Sequence, residues 1–246
     1  MAPRPWRRGP SAQVARLGRR VARWPRGWLD RWLLRRPFEG LSGRRYAALA
    51  RPAFERFDER VLDQLPASLI EARWMLDVGA GPATFALAAA RRYPQLRVLA
   101  LEPSHELART AAVAVADLPR VRVVRARAEQ LPLADGAIAL AVCLSSLRHF
   151  ADRGRALAEL RRVLAPGGTL VIIELDPRAS PARIAHHARG LSERALRAVF
   201  GALVVRTAPP VEDVIALAER AGFLLRRRHD DPWQPLYLLE LTPGPA

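Results

Sequence analysis

The chain has 246 residues, half of them hydrophobic, and a formal net charge of +16 at pH 7. This length suits one α/β domain with an appendage, and the hydrophobic content indicates a globular protein. A single cysteine, Cys143, excludes an internal disulfide and a cysteine-based zinc cluster. No apolar run approaches the roughly 20 residues that a membrane-spanning helix needs. We also expect no secretory signal, because residues 1–37 hold no continuous apolar stretch.

The positive charge is concentrated at the start of the chain. Residues 1–37 hold eleven arginines and one acid, Asp30. All forty basic residues of the chain are arginine, a bias that looks like a GC-rich coding sequence and weakens any argument from charge to substrate. We therefore divide the chain into a basic Arg/Trp-rich extension, residues 1–41, and a main domain, residues 42–246.

The extension combines a disordered start with an amphipathic helical pattern. Residues 1–11 are rich in Pro, Arg and Gly, which indicates disorder. The pattern that follows predicts contact of residues 12–36 with a membrane surface, since tryptophans on one face and arginines on the other suit a membrane interface. Docking on the protein's own body or on a second subunit is an alternative, and an organelle transit peptide is a third. The apolar stripe consists of Val14, Leu17, Val21, Trp24, Trp28 and Trp32.

Helical spacing of apolar residues predicts two helices over residues 42–65, with a break at Pro52. Tyr46 lies in the first of them. It either lines a ligand pocket or packs in the core.

A strand, a glycine turn and a helix are predicted next. The short, mostly apolar strand at residues 73–76 leads into Asp77, and Gly79 and Gly81 then form a turn that lets a ligand approach the backbone. A helix follows over residues 85–92. This order is typical of a nucleotide-type cofactor site at the carboxyl edge of a sheet. The dinucleotide fingerprint would need a third glycine where Thr84 stands.

The string Asp77-Val-Gly-Ala-Gly81 resembles the first motif of class I S-adenosylmethionine-dependent methyltransferases. The resemblance implies the cofactor S-adenosyl-L-methionine, with Gly79, Ala80 and Gly81 near its methionine part. It implies that Asp77 orders the loop and the methionine amine. It also implies that the helical region at residues 42–65 caps the cofactor pocket.

A second strand, residues 96–102, ends in Glu102. A carboxylate here offers two acceptor oxygens to the two ribose hydroxyls of a nucleoside cofactor. Pro103 follows and is assigned to the same cofactor site. Ser104 is the expected N-cap of the next helix.

After a third strand at residues 121–124, the loop Arg127-Ala-Glu-Gln-Leu-Pro-Leu133 resembles the adenine-binding loop of the family. An aspartate usually meets the adenine amino group there, but this chain has Arg127, which has no acceptor atom. Adenine recognition then passes to the Ala128 backbone, to Glu129, or to stacking on the Arg127 guanidinium.

Residues 138–144 form an almost wholly apolar strand, as expected for a central parallel strand. In the family its carboxyl end faces the cofactor sulfonium. This places Leu144 at the cofactor and makes His149 the candidate general base, with packing or loop bonding as the alternative for His149. Cys143 fits the core better than a catalytic role, and Ala139 replaces an acid that the family often has.

The remaining pattern completes the predicted sheet. Residues 177–208 interrupt the strands and are predicted to form a substrate lid that carries His186 and His187. The predicted fold class is α/β, with a Rossmann-like seven-stranded, mostly parallel sheet, an antiparallel C-terminal strand pair and helices on both faces. The supporting segments are helices at 152–164 and 209–222, a Pro166-Gly-Gly168 turn, and strands at 169–175, 224–229 and 236–241.

The resemblance covers about residues 42–242 and implies methyl transfer to a small hydrophobic molecule by a cytoplasmic protein, with peripheral membrane contact as an option. One alternative is an RNA methyltransferase whose arginine-rich tail binds phosphates, although nucleic acid is the less favoured partner. Another is a catalytically degenerate methyltransferase fold that only binds, which Arg127 and Ala139 support. No metal is expected, because Glu174 and Asp176 lack an evident third ligand. The oligomeric state stays open.

Overall fold

The computed structural model describes residues 55–65, 74–190, 205 and 208–245. The predictions for residues 1–41, for Tyr46 and for the break at Pro52 lie outside the described residues. The described helices are α1 (Glu55–Gln64), α2 (Thr84–Arg92), α3 (His105–Ala114), α4 (Arg153–Val163), α5 (Pro181–His187) and α6 (Val211–Arg220). The strands are β1 (Trp74–Val78), β2 (Arg97–Leu101), β3 (Val121–Val124), β4 (Ile138–Leu144), β5 (Leu164–Leu175), β6 (Phe223–Asp230) and β7 (Leu236–Pro243), with short 3-10 turns at Leu147–His149 and Ala188–Gly190.

The seven strands form one sheet in the order β3-β2-β1-β4-β5-β7-β6. Strands β1 to β5 pair in parallel, whereas β7 pairs antiparallel with both β5 and β6. The predicted fold class is therefore confirmed, including the antiparallel C-terminal pair. The chain order reverses between β1 and β4, which is where open α/β sheets form a ligand crevice at their carboxyl ends.

Both faces of the sheet are covered by helices. Residues of α1, α2, α3 and α5 join one apolar cluster, and residues of α4 and α6 join the other. Within β4, Val142 belongs to the first cluster and Cys143 to the second. A strand buried on both faces needs apolar residues throughout, which explains its sequence. Cys143 lies in the core, as predicted, and its burial raises the pKa of the thiol.

The turn predicted at Pro166-Gly-Gly168 does not separate a helix from a strand. Strand β5 begins at Leu164, directly after α4, and the three residues lie within it. The register between β4 and β5 shifts between Ile138 and Leu140, so this stretch is irregular. Proline cannot donate a ladder hydrogen bond and is tolerated at such a place.

Two predicted helix starts are confirmed by their caps. The Ser104 hydroxyl accepts from the Leu107 amide at 3.2 Å and starts α3. An Asp152 carboxylate oxygen accepts from the Arg155 amide at 3.0 Å and starts α4. Of the helices in the described part of the chain, none is long and apolar enough to cross a bilayer.

Candidate cofactor site

Strand β1 delivers Asp77 and the glycine loop to the crevice between β1 and β4. Asp77 is buried near the carboxyl end of this strand. Gly79 and Gly81 follow with φ angles of 76° and 57°. These are left-handed conformations that glycine adopts without strain.

The loop directs its amides into the protein. The Gly79 and Ala80 amides both donate to the Leu101 carbonyl at the end of β2, at 2.8 and 3.0 Å. The Gly81 amide donates to Glu102 Oε2 at 2.9 Å. A dinucleotide fingerprint uses its loop and helix N-terminus to bind a pyrophosphate. Three consecutive amides with partners inside the protein disfavour that use here.

Glu102 is fixed against the glycine loop. Its side chain is buried, Oε2 accepts from Gly81, and Oε1 accepts from the Ser104 amide at 2.8 Å. The structure thus holds this carboxylate in one place at the carboxyl end of β2, as ribose recognition requires.

The space beside Gly81 is open. A Cβ built on this glycine meets no heavy atom within 4 Å among the described residues. At the start of α2, Thr84 Oγ1 is buried and has no hydrogen-bond partner in the described part of the chain. The loop therefore has room for a ligand beside Gly81.

The end of β4 is tied to both neighbouring strands. Ser145 has a φ angle of 51°, and its amide donates to the Ile173 carbonyl of β5 at 2.7 Å. The Ser146 hydroxyl donates to the Val78 carbonyl of β1 at 2.6 Å. A strained residue at a strand end persists only where its surroundings hold it. These bonds fix the turn that follows.

That turn contains a fully buried ion pair. Arg148 Nη2 and Nε donate to Glu174 Oε2 at 2.8 and 3.2 Å, and the Arg148 amide donates to Glu174 Oε1 at 3.3 Å. Both side chains are completely buried. Glu174 therefore braces the turn after β4. In the described residues, no group of three His, Cys, Asp or Glu side chains is arranged to hold a metal ion.

His149 ends the same turn. Its side chain is half-buried, and its amide donates to the Ser146 carbonyl at 2.9 Å. Leu144, the last residue of β4, is also half-buried and pairs in register with Ile173. Both residues thus lie at the carboxyl edge of the sheet. The catalytic role of His149 stays a prediction.

In the loop predicted to bind adenine, the Glu129 carboxylate makes its contacts within the protein. Glu129 Oε1 accepts from the Ala151 and Asp152 amides at 2.6 and 3.1 Å, and Oε2 lies 3.6 Å from Arg127 Nε. Ala128 is buried beside it. Glu129 therefore supports the start of α4, and a role in adenine binding stays a prediction.

Pro103 lies between Glu102 and the cap of α3. It is half-buried, and its carbonyl accepts from Arg125 Nε at 3.4 Å. It belongs to the same edge of the sheet as the glycine loop, so the structure brings the residues predicted from β1 and β2 together.

Only part of the predicted lid, residues 177–208, is among the described residues. Helix α5 carries His186 and His187, and both are half-buried. His187 Nδ1 is hydrogen-bonded to Gln234 Oε1 in the turn between β6 and β7. Burial lowers the pKa of His187 to about 4, so its imidazole is neutral at pH 7.

Sequence analysis missed three features of the site. Ser146 and the partnership of Arg148 with Glu174 carry no motif that identifies them. Ala83 is the buried N-cap of α2 with a φ angle of 63°, a conformation that suits glycine. The sequence does hint at this conformation, because Gly79, Gly81 and Ala83 are small residues spaced two positions apart.

The buried charges of the site are mainly negative. Asp77, Glu102 and Glu174 are buried acids near the carboxyl ends of β1, β2 and β5, and Arg148 is the buried cation that pairs with Glu174. S-adenosylmethionine carries a sulfonium and an amine, so a site with excess negative charge fits it. The open side of Gly81 and the fixed Glu102 carboxylate fit the same group.

The sheet order, the glycine loop and the carboxylate at the end of β2 define a class I α/β methyltransferase fold. Residues 76–172 match a family model described as a methyltransferase domain. A solved S-adenosylmethionine-dependent methyltransferase from Aquifex aeolicus superposes with a TM-score of 0.59 at 16% identity, over 89% of this chain and 98% of that chain. This structural likeness concerns the fold.

Two curated relatives agree with the family model. The malonyl-[acyl-carrier protein] O-methyltransferase of Geobacter sulfurreducens is 39% identical over 50% of this chain and 45% of its own length. The ubiquinone/menaquinone biosynthesis C-methyltransferase of Syntrophotalea carbinolica is 30% identical over 53% of this chain and 63% of its own length. The chain thus matches less than two thirds of either relative. Residues 76–172 are thus similar to the methyltransferase domains of these proteins.

Proposed function

We propose that this protein transfers a methyl group from S-adenosylmethionine to a small hydrophobic molecule. The observation that carries the proposal is the Glu102 carboxylate, which two amides hold beside the open face of Gly81. This arrangement places a ribose acceptor next to a backbone that a ligand can approach closely.

The bound cofactor supplies a methyl group on a positively charged sulfur, which a nucleophile displaces directly. The residues of the chain then have to align the acceptor with the methyl group and exclude water. Buried Asp77 and Glu102 favour the sulfonium form of the cofactor over its product, in which the sulfur is a neutral thioether, through their negative charge. This difference assists product release.

The acceptor is proposed to be small and apolar because one similar curated protein is a ubiquinone/menaquinone biosynthesis C-methyltransferase. His149, which ends the turn after β4, is the proposed general base for an acceptor that carries a proton. The test is the transfer of labelled methyl groups to separate lipid, quinone and RNA extracts. Labelling of RNA alone would contradict the small-molecule proposal.

Calorimetric titration with S-adenosylmethionine tests the cofactor site. Glu102→Gln removes the charge and one acceptor site, so we expect affinity to fall roughly 10- to 100-fold, the range for a lost charged hydrogen bond. Glu219→Gln, at an exposed position in α6, is the matched control. Equal affinities of the two variants would contradict the assignment of Glu102.

Residues 12–36 are proposed to contact a membrane surface, on the basis of their tryptophan and arginine pattern. Flotation of the full-length protein with anionic liposomes tests this. Replacement of Trp24, Trp28 and Trp32 by alanine should abolish flotation. Unchanged flotation would show that the stripe does not bind lipid.

A further inference from the structure

A polar cluster joins three separate segments of the chain. It consists of Gln64 at the end of α1, Arg183 and His187 on α5, and Asp231 and Gln234 in the turn between β6 and β7. Asp231 and Gln234 are both buried. We call these five residues the Asp231 cluster.

Asp231 is the centre of the cluster. Its Oδ1 accepts from the Trp233 and Gln234 amides, both at 2.7 Å, and its Oδ2 accepts from Gln64 Nε2 at 2.9 Å. One carboxylate therefore shapes the turn and holds the end of α1. A hydrogen bond to a charged group is stronger than one between neutral groups.

Helix α5 is attached to the other side of the same turn. Arg183 Nη2 donates to the carbonyls of Asp231 and Gln234 at 2.5 and 2.6 Å, and Nε donates to the Gln234 carbonyl at 2.9 Å. His187 bonds the Gln234 side chain. Arg183 Nη1 also lies 3.7 Å from Asp176 Oδ2, just beyond the carboxyl end of β5.

The two helices adjoin different elements that lead to the proposed site. Helix α1 packs on α2, since Val61 and Leu62 share an apolar cluster with Phe85, and α2 follows the glycine loop directly. Helix α5 follows the carboxyl end of β5, and its residue Ile184 and the adjoining Ala188 belong to the same cluster. The Asp231 cluster thus connects a helix that packs on α2 with a helix that follows the carboxyl end of β5.

We propose that Asp231 is a positioning residue that couples α1 to α5, so that cofactor binding beside α1 sets the position of α5 at the acceptor. This proposal rests on the proposed function for its ligand. Coupling between two sites is reciprocal, so a change made in either helix must appear in the other. The coupling itself is measurable without any ligand.

Hydrogen exchange of the full-length protein, followed by mass spectrometry, tests the coupling. Gln64→Glu places a second carboxylate against Asp231 Oδ2 and breaks the link from α1. We expect the amides of α5 to exchange roughly two- to tenfold faster, the effect of losing one or two hydrogen bonds. The altered residue lies in α1, whereas the measured helix is α5.

The rescue variant distinguishes coupling from general destabilisation. Adding Asp231→Asn to Gln64→Glu reverses the hydrogen bond, because the asparagine amide donates to the new glutamate while its oxygen still accepts from the turn. Exchange in α5 should return to the wild-type rate. Asp230→Asn is the matched control, since this exposed neighbour pairs with Arg228 and should leave α5 unchanged.

The reciprocal variant keeps the test decisive if Gln64→Glu does not fold. Arg183→Met releases α5 from the turn and should accelerate exchange in residues 55–64. The proposal would be overturned if the amides of α5 in Gln64→Glu, or those of α1 in Arg183→Met, exchanged at the wild-type rate. It would also be overturned if Asp231→Asn did not restore the exchange rate of α5 in the double variant.

Addition of S-adenosylmethionine separates this inference from the proposed function. In the wild type we expect the cofactor to slow exchange in α5, and in Gln64→Glu we expect it to bind without doing so. Absence of calorimetric binding to the wild type would defeat the proposed function and leave the ligand-free coupling standing. Binding that slows α5 equally in both proteins would defeat the inference alone.

Discussion

Ser146 lies so close to Gly79 that a methyl group on Gly79 would come within 2.5 Å of the Ser146 Cβ. The Ser146 hydroxyl also bonds the carbonyl of Val78, the residue before this glycine. The end of β4 therefore packs directly against Gly79, whereas the space beside Gly81 is open among the described residues. The two glycines serve different purposes, one for packing and one for ligand approach.

Alanine substitutions should separate these purposes. Gly79→Ala combines a clash with a left-handed backbone, so we expect the free energy of unfolding to fall by about 2–4 kcal/mol. Gly81→Ala adds only the backbone cost, about 1 kcal/mol, but places a methyl group in the open space. Urea denaturation and calorimetric titration should show Gly79→Ala mainly unstable and Gly81→Ala mainly defective in S-adenosylmethionine binding. The reverse result would contradict these roles.

The buried pair of Arg148 and Glu174 should be costly to break. Arg148→Met leaves a buried carboxylate without its cation, and we expect a loss of about 3–5 kcal/mol. The double variant Arg148→Met/Glu174→Leu removes both charges and should be more stable than the single one. Denaturant midpoints measure this. Arg178→Met, which breaks the exposed pair with Glu212, is the control and should leave the midpoint unchanged.

Ala83 should tolerate glycine better than its neighbours do. It occupies a left-handed conformation that costs alanine about 1–2 kcal/mol, whereas Ala86 lies buried inside α2. We expect Ala83→Gly to be about 1–2 kcal/mol more stable than Ala86→Gly in urea denaturation. Equal losses at both positions would show that strain at Ala83 is small.

Acid should destabilise the fold through His187. Burial lowers the pKa of this histidine from 6.5 to about 4, so between these pH values the unfolded chain binds more protons than the folded one. His187 therefore does not lower the free energy of unfolding above about pH 6.5, and it lowers this free energy increasingly as the pH drops toward 4. His187→Gln should reduce this pH dependence by on the order of 2 kcal/mol between pH 7 and 4. His105→Gln, at an exposed position, controls for loss of a histidine, and an unchanged pH profile of His187→Gln would refute the assignment.

Much of the fold could be predicted from the sequence because its signals are local. The strands at 121–124 and 138–144 and the caps Ser104 and Asp152 follow from periodicity and side-chain chemistry within a few residues. The turn predicted at Pro166 lies inside β5 instead, because the irregular pairing of β5 with β4 tolerates a proline there. How two strands pair cannot be read from the sequence of either strand alone.

The residues of the site also fall into those that local sequence patterns predict and those that only the structure reveals. Glu102 and the glycine loop were predicted from spacing along one βαβ unit, and the structure brings them within hydrogen-bond distance. The pairing of Arg148 with Glu174 joins residues 26 positions apart, one in the turn after β4 and the other in β5. The Asp231 cluster spans even larger separations. Such long-range polar contacts leave no periodic trace in the sequence.

The burial of Cys143 has a practical consequence for spectroscopy. The chain has no second cysteine, and this thiol is enclosed in β4 with a raised pKa, so thiol-reactive dyes should bypass it in the native protein. A cysteine introduced at exposed Trp233 would then take a fluorophore selectively without removing any native residue in β4. Its emission would report the motion of the turn to which α5 is fastened, in real time and in solution.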